Sequence, residues 1–186
     1  PLAPYGAAKL GLERAAAEWA GADGAAVLIG RISNLYGPGQ NLGKAQGLIS
    51  QICRAHLLRE PISIWAPLDS ARDYLYAPDC ARMIAEGLDL LAGERRAGAA
   101  GVRTKIFASG QGATVGFLIA ELRRIVKHPP RVVFASSVAT RFQPRDLRLR
   151  SVVWPQIDRL ARTPLPVGIK RVAQDLLAAL QAARLR

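Results

Sequence analysis

The sequence predicts an α/β fold built on a parallel sheet, and three observations carry the prediction. Segments of helical periodicity alternate with short apolar runs, an order that places helices on the faces of a sheet. The run "AAVLIGRIS" (25–33) is nearly continuous in apolar and β-branched residues. That pattern reads as a strand covered on both faces rather than one alternating in and out. The following connection, "NLYGPGQNLG" (34–43), carries Gly and Pro and is too long for a hairpin turn.

The elements follow in order. Pro4 suits the first turn of a helix, and Ala8, Leu12, Ala15 or Ala16, and Trp19 recur at helical spacing as its apolar face. Gly21 and Gly24 end it. After the strand and the Gly-Pro loop, residues 45–58 read as a helix, "PISIW" as a short strand and "APDCARMIAEGLDLLAG" as a second helix. "ERRAGAAGVR" is a flexible connection, "KIFAS" a strand, 114–127 a helix with Thr114 as N-cap, and "RVVFA" a strand. Proline breaks the C-terminal third before a last amphipathic helix from about 167 to 184.

Composition narrows the function classes. The chain has 186 residues, half of them hydrophobic and 22% charged, which suits one globular domain or one and part of another. No run approaches the ~20 apolar residues of a membrane span, so no membrane partner is expected. Cys53 and Cys80 stand alone, as do His56 and His128. Neither a metal site nor a disulfide framework is predicted, and a reducing cytoplasm fits best. The net charge of +12 invites a nucleic-acid partner. The arginines are scattered, however, apart from "TRFQPRDLRLR" (140–150), and few aromatics interleave with them as a stacking platform needs. A solvated Arg-rich face or a site for an anionic small molecule fits better, and nucleic acid is not expected. "KIFASGQGATVGFLIAEL" imitates the start of a dinucleotide-binding unit. Its third glycine, Gly116, is one residue late for G-x-G-x-x-G, and the next strand ends without an acidic residue.

Tyr5 and Lys9 stand one turn apart on the first helix, on one face. A phenol works as a general acid or base near neutrality only if its pKa falls from about 10, a shift worth roughly 4 kcal/mol. A neighbouring ammonium or a cationic nicotinamide ring favours that shift. Taken alone, the pair is also a match that chance supplies.

The pair has ordered company downstream. "RISNLYGPGQ" (31–40) and "ARDYLYAPDCARMI" (71–84) follow it, then the strand, Gly turn and helix of 105–122, then "RTPLPVGIKRV" (162–172). This order resembles the extended short-chain dehydrogenase/reductase family, the NAD-dependent epimerases and dehydratases that act on nucleotide sugars. The likeness spans about residues 1–175. It implies an incomplete Rossmann-type parallel sheet plus a smaller C-terminal substrate-binding α/β region. Residues 1–37, rejoined by about 71–110, would form the C-terminal part of an NAD(P)-binding domain; 38–70 and 111–186 would bind substrate. "WAPLDS" stands where the family usually turns through a glycine, and "DRLART" replaces its usual Leu-Gly-Trp.

The resemblance also assigns roles. Tyr5 would be the catalytic acid/base and Lys9 its cofactor-binding partner, with NAD or NADP as cofactor. Ile32 and Ser33, at the strand's carboxyl end, would lie beside the nicotinamide. Asn34 would bond the diphosphate of a nucleotide-diphosphate sugar, unless it is only a turn-former after a strand. Arg72 would clamp the same diphosphate, unless it pairs locally with Asp73 or Asp79. Arg141 or Arg145 would add a second phosphate contact. Asp79 reads as a helix cap. A homodimer through the Tyr-bearing helix is a further implication. In the family, the phosphate-binding glycine loop, the ribose-reading acid and the catalytic Ser or Thr precede the Tyr. The chain is therefore expected to hold a C-terminal portion, to bind NADH weakly in a fluorescence titration, and to leave an apolar strand edge uncovered. A catalytically inactive remnant and another extended short-chain reductase are the alternatives.

Overall fold

The computed structural model describes residues 4–42, 47–99, 101–126, 128, 131–135 and 144–184. In order they form α1 (Pro4–Asp23), β1 (Val27–Ile32), β2 (Asn34–Tyr36), α2 (Leu48–Leu58), β3 (Ile62–Ile64), β4 (Ala71–Tyr76) and α3 (Ala77–Arg96). Then come β5 (Val102–Phe107), β6 (Gly112–Thr114), α4 (Val115–Ile125), β7 (Val132–Phe134), β8 (Asp146–Leu147), α5 (Pro155–Asp158) and α6 (Leu165–Arg184). The α/β class is as expected.

Three small sheets carry the fold. β1 pairs with β5 in parallel, Val27 opposite Val102 through Ile32 opposite Phe107. β4 is the hub of the second sheet, parallel to β2 and β8 and antiparallel to β6. β3 and β7 form a third, parallel pair. Two apolar clusters sit on these sheets. One gathers Ile49, Ile52, Cys53, Leu118, Ile169 and Val172 between α2, α4 and α6. The other places Leu75, Cys80, Met83, Phe107 and Ile157 between α3, β5 and α5.

Several local expectations need correction. "NLY" is not loop but β2, because each of its residues finds a partner in β4. "ARDYLY" is likewise a strand, which its charged pair Arg72-Asp73 concealed from a reading by apolar pattern. α2 starts at Leu48 rather than residue 45, since Gly47 takes φ 85, outside helical geometry. α3 begins at Ala77 with Tyr76 as N-cap and no side-chain cap, so Asp79 does not cap it. Thr114 does cap α4, its Oγ1 accepting the Phe117 N–H at 3.1 Å. His56 and His128 are not apart in space: His56 Nδ1 donates to the His128 carbonyl at 2.7 Å.

The largest departure concerns α1 and β1. The periodic face of α1 is open, with Leu12 63% and Trp19 55% exposed, and Ala20 is the one buried residue of the helix. β1 is half covered, its second half from Gly30 to Ile32 being exposed. Among the described residues no strand pairs with the other edge of β1. What docks α1 is an ion pair: Arg31 of β1 donates to Glu13 through Nε at 3.0 Å and Nη2 at 2.6 Å.

Candidate active site at the strand crossover

The chain leaves the β1–β5 sheet for the β4 sheet at two points, and a single side chain serves both. Ser33 is the one residue between β1 and β2, and Ser109 follows β5 on the way to β6. Between them lies Asp73 of β4, fully buried. Its Oδ1 accepts the Ser33 hydroxyl at 2.7 Å and the Ser109 N–H at 2.9 Å, and its Oδ2 accepts the Ser109 hydroxyl at 2.9 Å. The Asp73 carbonyl also accepts Asn34 Nδ2 at 2.9 Å. Three donors compensate the desolvation of this carboxylate, which would otherwise cost several kcal/mol.

A cavity of about 780 Å³ opens beside this crossover. Tyr5, Ser33, Asn34, Tyr36, the Gly37–Gln40 loop, Ile49 and Tyr74 are among the residues that line it. Tyr5 is 74% exposed, and the Lys9 ammonium lies 5.6 Å from its ring centroid, in cation–π reach. The loop packs tightly. A side chain at Gly37 would bring its Cβ to 2.9 Å from that of Ala77, so the Tyr-Gly-Pro run needs glycine there. Tyr36 is buried and tilts against Tyr76, with ring centroids 5.6 Å apart. Burial, and then the Asp79 carboxylate, push its hydroxyl well above the usual phenol range, so Tyr36 stays protonated.

The expected site residues thus divide. Tyr5, Ser33 and Asn34 share the cavity, Lys9 stands over Tyr5, and Ile32 ends β1 next to Ser33 with an exposed side chain. Arg72 does not line the cavity; its Nη1 donates to the carbonyls of Ala71 at 2.8 Å and Arg145 at 3.2 Å. Arg145, whose carbonyl Arg72 meets, reaches Asp69 at 3.4 Å and is likewise absent from the cavity lining. Arg141 lies outside the described residues. Asp79 is buried and accepts the Thr163 N–H at 2.8 Å and hydroxyl at 3.0 Å, and it pairs with Arg82. The Gly110–Gly112 turn leads into β6 rather than a helix, so it lacks the anion site of a dinucleotide fingerprint. Among the described residues no group of three His, Cys, Asp or Glu could hold a metal ion, and no helix is long and apolar enough to cross a membrane.

Sequence reasoning missed two buried groups. Asp73 entered only as a candidate partner for Arg72, and its spacing to Ser33 and Ser109 gives no local signal. Lys105 is fully buried in β5, donating to Ser151 Oγ at 3.0 Å, the Val153 carbonyl at 2.8 Å and Asp158 Oδ1 at 2.8 Å. It ties β5 to the segment that leads into α5. An interior lysine in "TKIFAS" reads as a strand-edge charge until its partners are seen.

Comparison with known proteins fits this architecture. Residues 1–96 match the NAD dependent epimerase/dehydratase family. A Bacillus subtilis (strain 168) protein described as an uncharacterized UDP-glucose epimerase, YtcB, is 31% identical over 84 residues, 45% of this chain and 26% of that protein. A UDP-glucose 4-epimerase from Thermotoga maritima, solved with UDP-glucose, superposes with a TM-score of 0.78 at 24% identity, over 97% of this chain and 55% of its own. MoeE5, solved with UDP-glucose and NAD, gives 0.76 at 24% identity over 97% of this chain and 57% of its own. The chain therefore spans about half the length of those solved structures and a quarter of the curated relative it matches. These likenesses establish the fold, and the match over 1–96 establishes the kinship: the chain belongs to the NAD dependent epimerase/dehydratase family.

Proposed function

We propose that this chain supplies the acid/base and sugar-nucleotide side of an NAD- or NADP-dependent enzyme that epimerises, dehydrates or reduces a nucleotide-diphosphate sugar. The observation that carries the reading is the shared cavity, onto which the Tyr5 phenol and the Asn34 amide both open. The residues present fit the nicotinamide end of such a cofactor. Lys9 offers an ammonium for ribose hydroxyls beside Tyr5, and Ile32 ends β1, with Ser33 just after it, where open α/β sheets hold ligands. When bound, a nicotinamide supplies hydride transfer to or from a sugar carbon. Tyr5 accepts or returns the sugar hydroxyl proton at its Oη. Lys9, its Nζ 5.6 Å from the Tyr5 ring centroid, places a cationic side chain beside the phenol, which favours negative charge developing there. Asn34 is held by the Asp73 carbonyl through one amide hydrogen, and its second donor can meet a phosphate oxygen. Arg72 and Arg145 form a neighbouring basic pair for an anionic group.

Calorimetric titration with UDP-glucose tests the reading. Saturable binding is expected, weakened ~5–10-fold in Asn34→Ala by loss of one hydrogen bond. Tyr5→Phe should leave affinity unchanged and abolish conversion of UDP-glucose in the presence of NAD. Absence of saturable heat with UDP-glucose or UDP overturns the proposal. A non-catalytic, sugar-nucleotide-binding chain is the second reading, favoured by the open surface around Tyr5. Intact UDP-glucose binding with no turnover, at NAD concentrations that NADH fluorescence shows to saturate the chain, would select it.

A further inference from the structure

The cavity wall from Tyr36 to Gln40 is held from behind by α6, an element that itself lines no part of the cavity. Three α6 residues meet this wall or its core. Gly168, Val172 and Asp175 stand at i, i+4 and i+7, which puts them on one helix face. Gly168 lies against Tyr36, whose ring carbons would be 2.7 and 2.8 Å from an added Cβ. Val172 is buried in the cluster that contains Tyr36. Asp175 Oδ2 accepts the Gly39 N–H at 2.9 Å. Gly39 has φ +75, in the left-handed region that favours glycine. Ser50 of α2 also holds this wall, donating to Gln40 Oε1. The wall is therefore pinned at Tyr36, Gly39 and Gln40, by the nearby α2, 10 residues on at Ser50, and by α6, 136 residues on at Asp175.

We propose that Asp175 is a positioning residue for the cavity: through the Gly39 N–H it fixes the Gly37–Gln40 wall against which the nucleotide sugar binds. This rests on the function proposed above. Asp175 does not line the cavity; it removes conformations of the loop that a ligand would otherwise have to select against.

Two variants test it. Asp175→Ala removes the acceptor and suits a helix interior better than Asp, so α6 persists. Asp175→Asn keeps an oxygen acceptor at the same place. The measurements are amide hydrogen exchange at Gly39 and the dissociation constant for UDP-glucose. In Asp175→Ala, Gly39 exchange should rise about tenfold and affinity fall about tenfold, the size expected for a lost charge-assisted bond. Asp175→Asn should return both to within about threefold of the native chain. Native exchange at Gly39 in Asp175→Ala overturns the proposal, as does faster exchange with unchanged affinity. Should the native chain bind no UDP-glucose, the functional reading fails, and Gly39 exchange then decides alone whether Asp175 holds the wall.

Discussion

Gly168 shows how one missing carbon shapes the site. Tyr36 is buried with its ring and hydroxyl against the α6 backbone at this position. In an exposed helix Gly→Ala would gain roughly 1 kcal/mol of propensity. Here the added methyl meets the ring of a side chain that cannot retreat, since Tyr36 is also packed on Tyr76. Gly168→Ala is therefore expected to destabilise by about 1–3 kcal/mol, the range for overpacking, seen as a lower urea midpoint. An unchanged or higher midpoint would mean the wall yields easily. The family likeness of "RTPLPVGIKRV" took in this glycine, but the reason for it lies in Tyr36, some 130 residues away by chain.

At the scale of elements, α1 is the weakly docked one. It buries only Ala20, and Glu13–Arg31 links it to β1. The Arg31 guanidinium, by hydrogen bond first and charge second, holds the Glu13 carboxyl below its usual range. A depressed carboxylate contributes stability above its unfolded pKa, near 4.5, and loses it as pH falls through the folded value. Exchange of α1 amides should accordingly exceed that of α3, and rise further below pH 4 or in Arg31→Gln, when followed by hydrogen-exchange mass spectrometry. Equal protection of α1 and α3 would disprove the weak docking. Tyr5 and Lys9 ride on this helix, so the placement of the proposed acid/base depends on the same ion pair.

Over the whole molecule, alkaline pH is the condition that should expose the interior. Burial pushes the Cys53 thiol up to about 12 and raises the Cys80 thiol and the Tyr36 and Tyr74 hydroxyls above their usual values, Asp79 adding to Tyr36. Each group keeps its proton longer folded than unfolded, so its contribution is complete below its unfolded pKa, 9 for the thiols and 10 for the phenols. Stability is then lost as pH climbs from about 9 toward 12. Thermal melts across that window should show a falling midpoint, and native Cys53 should resist alkylation at pH 8 until the chain is unfolded. A flat melting profile from pH 8 to 11 would contradict this.

How much could be read beforehand follows from the reach of each contact. Helix α4 and its Thr114 cap rest on neighbours within a few residues, and pattern found them. The one-turn spacing of Tyr5 and Lys9 on α1 was legible in the same way. Strand β4 escaped because its stability comes from three partner strands and its buried aspartate, neither visible in local polarity. The open face of α1 escaped for the opposite reason: its spacing specifies an apolar stripe but not what covers it.

The bond between Gly39 and Asp175 joins positions 136 apart in the chain. Closing so long a loop is slow compared with forming either helix or strand locally, because its entropy is lost before the contact rewards it. The wall of the cavity can be completed only once α6 has been made and has come back across the first half of the molecule. During synthesis, a chain stalled before residue 165 could hold Tyr5, Ser33 and Asn34 and still lack a finished binding surface. Assembly order would then keep the cavity unfinished until translation has passed its last long helix.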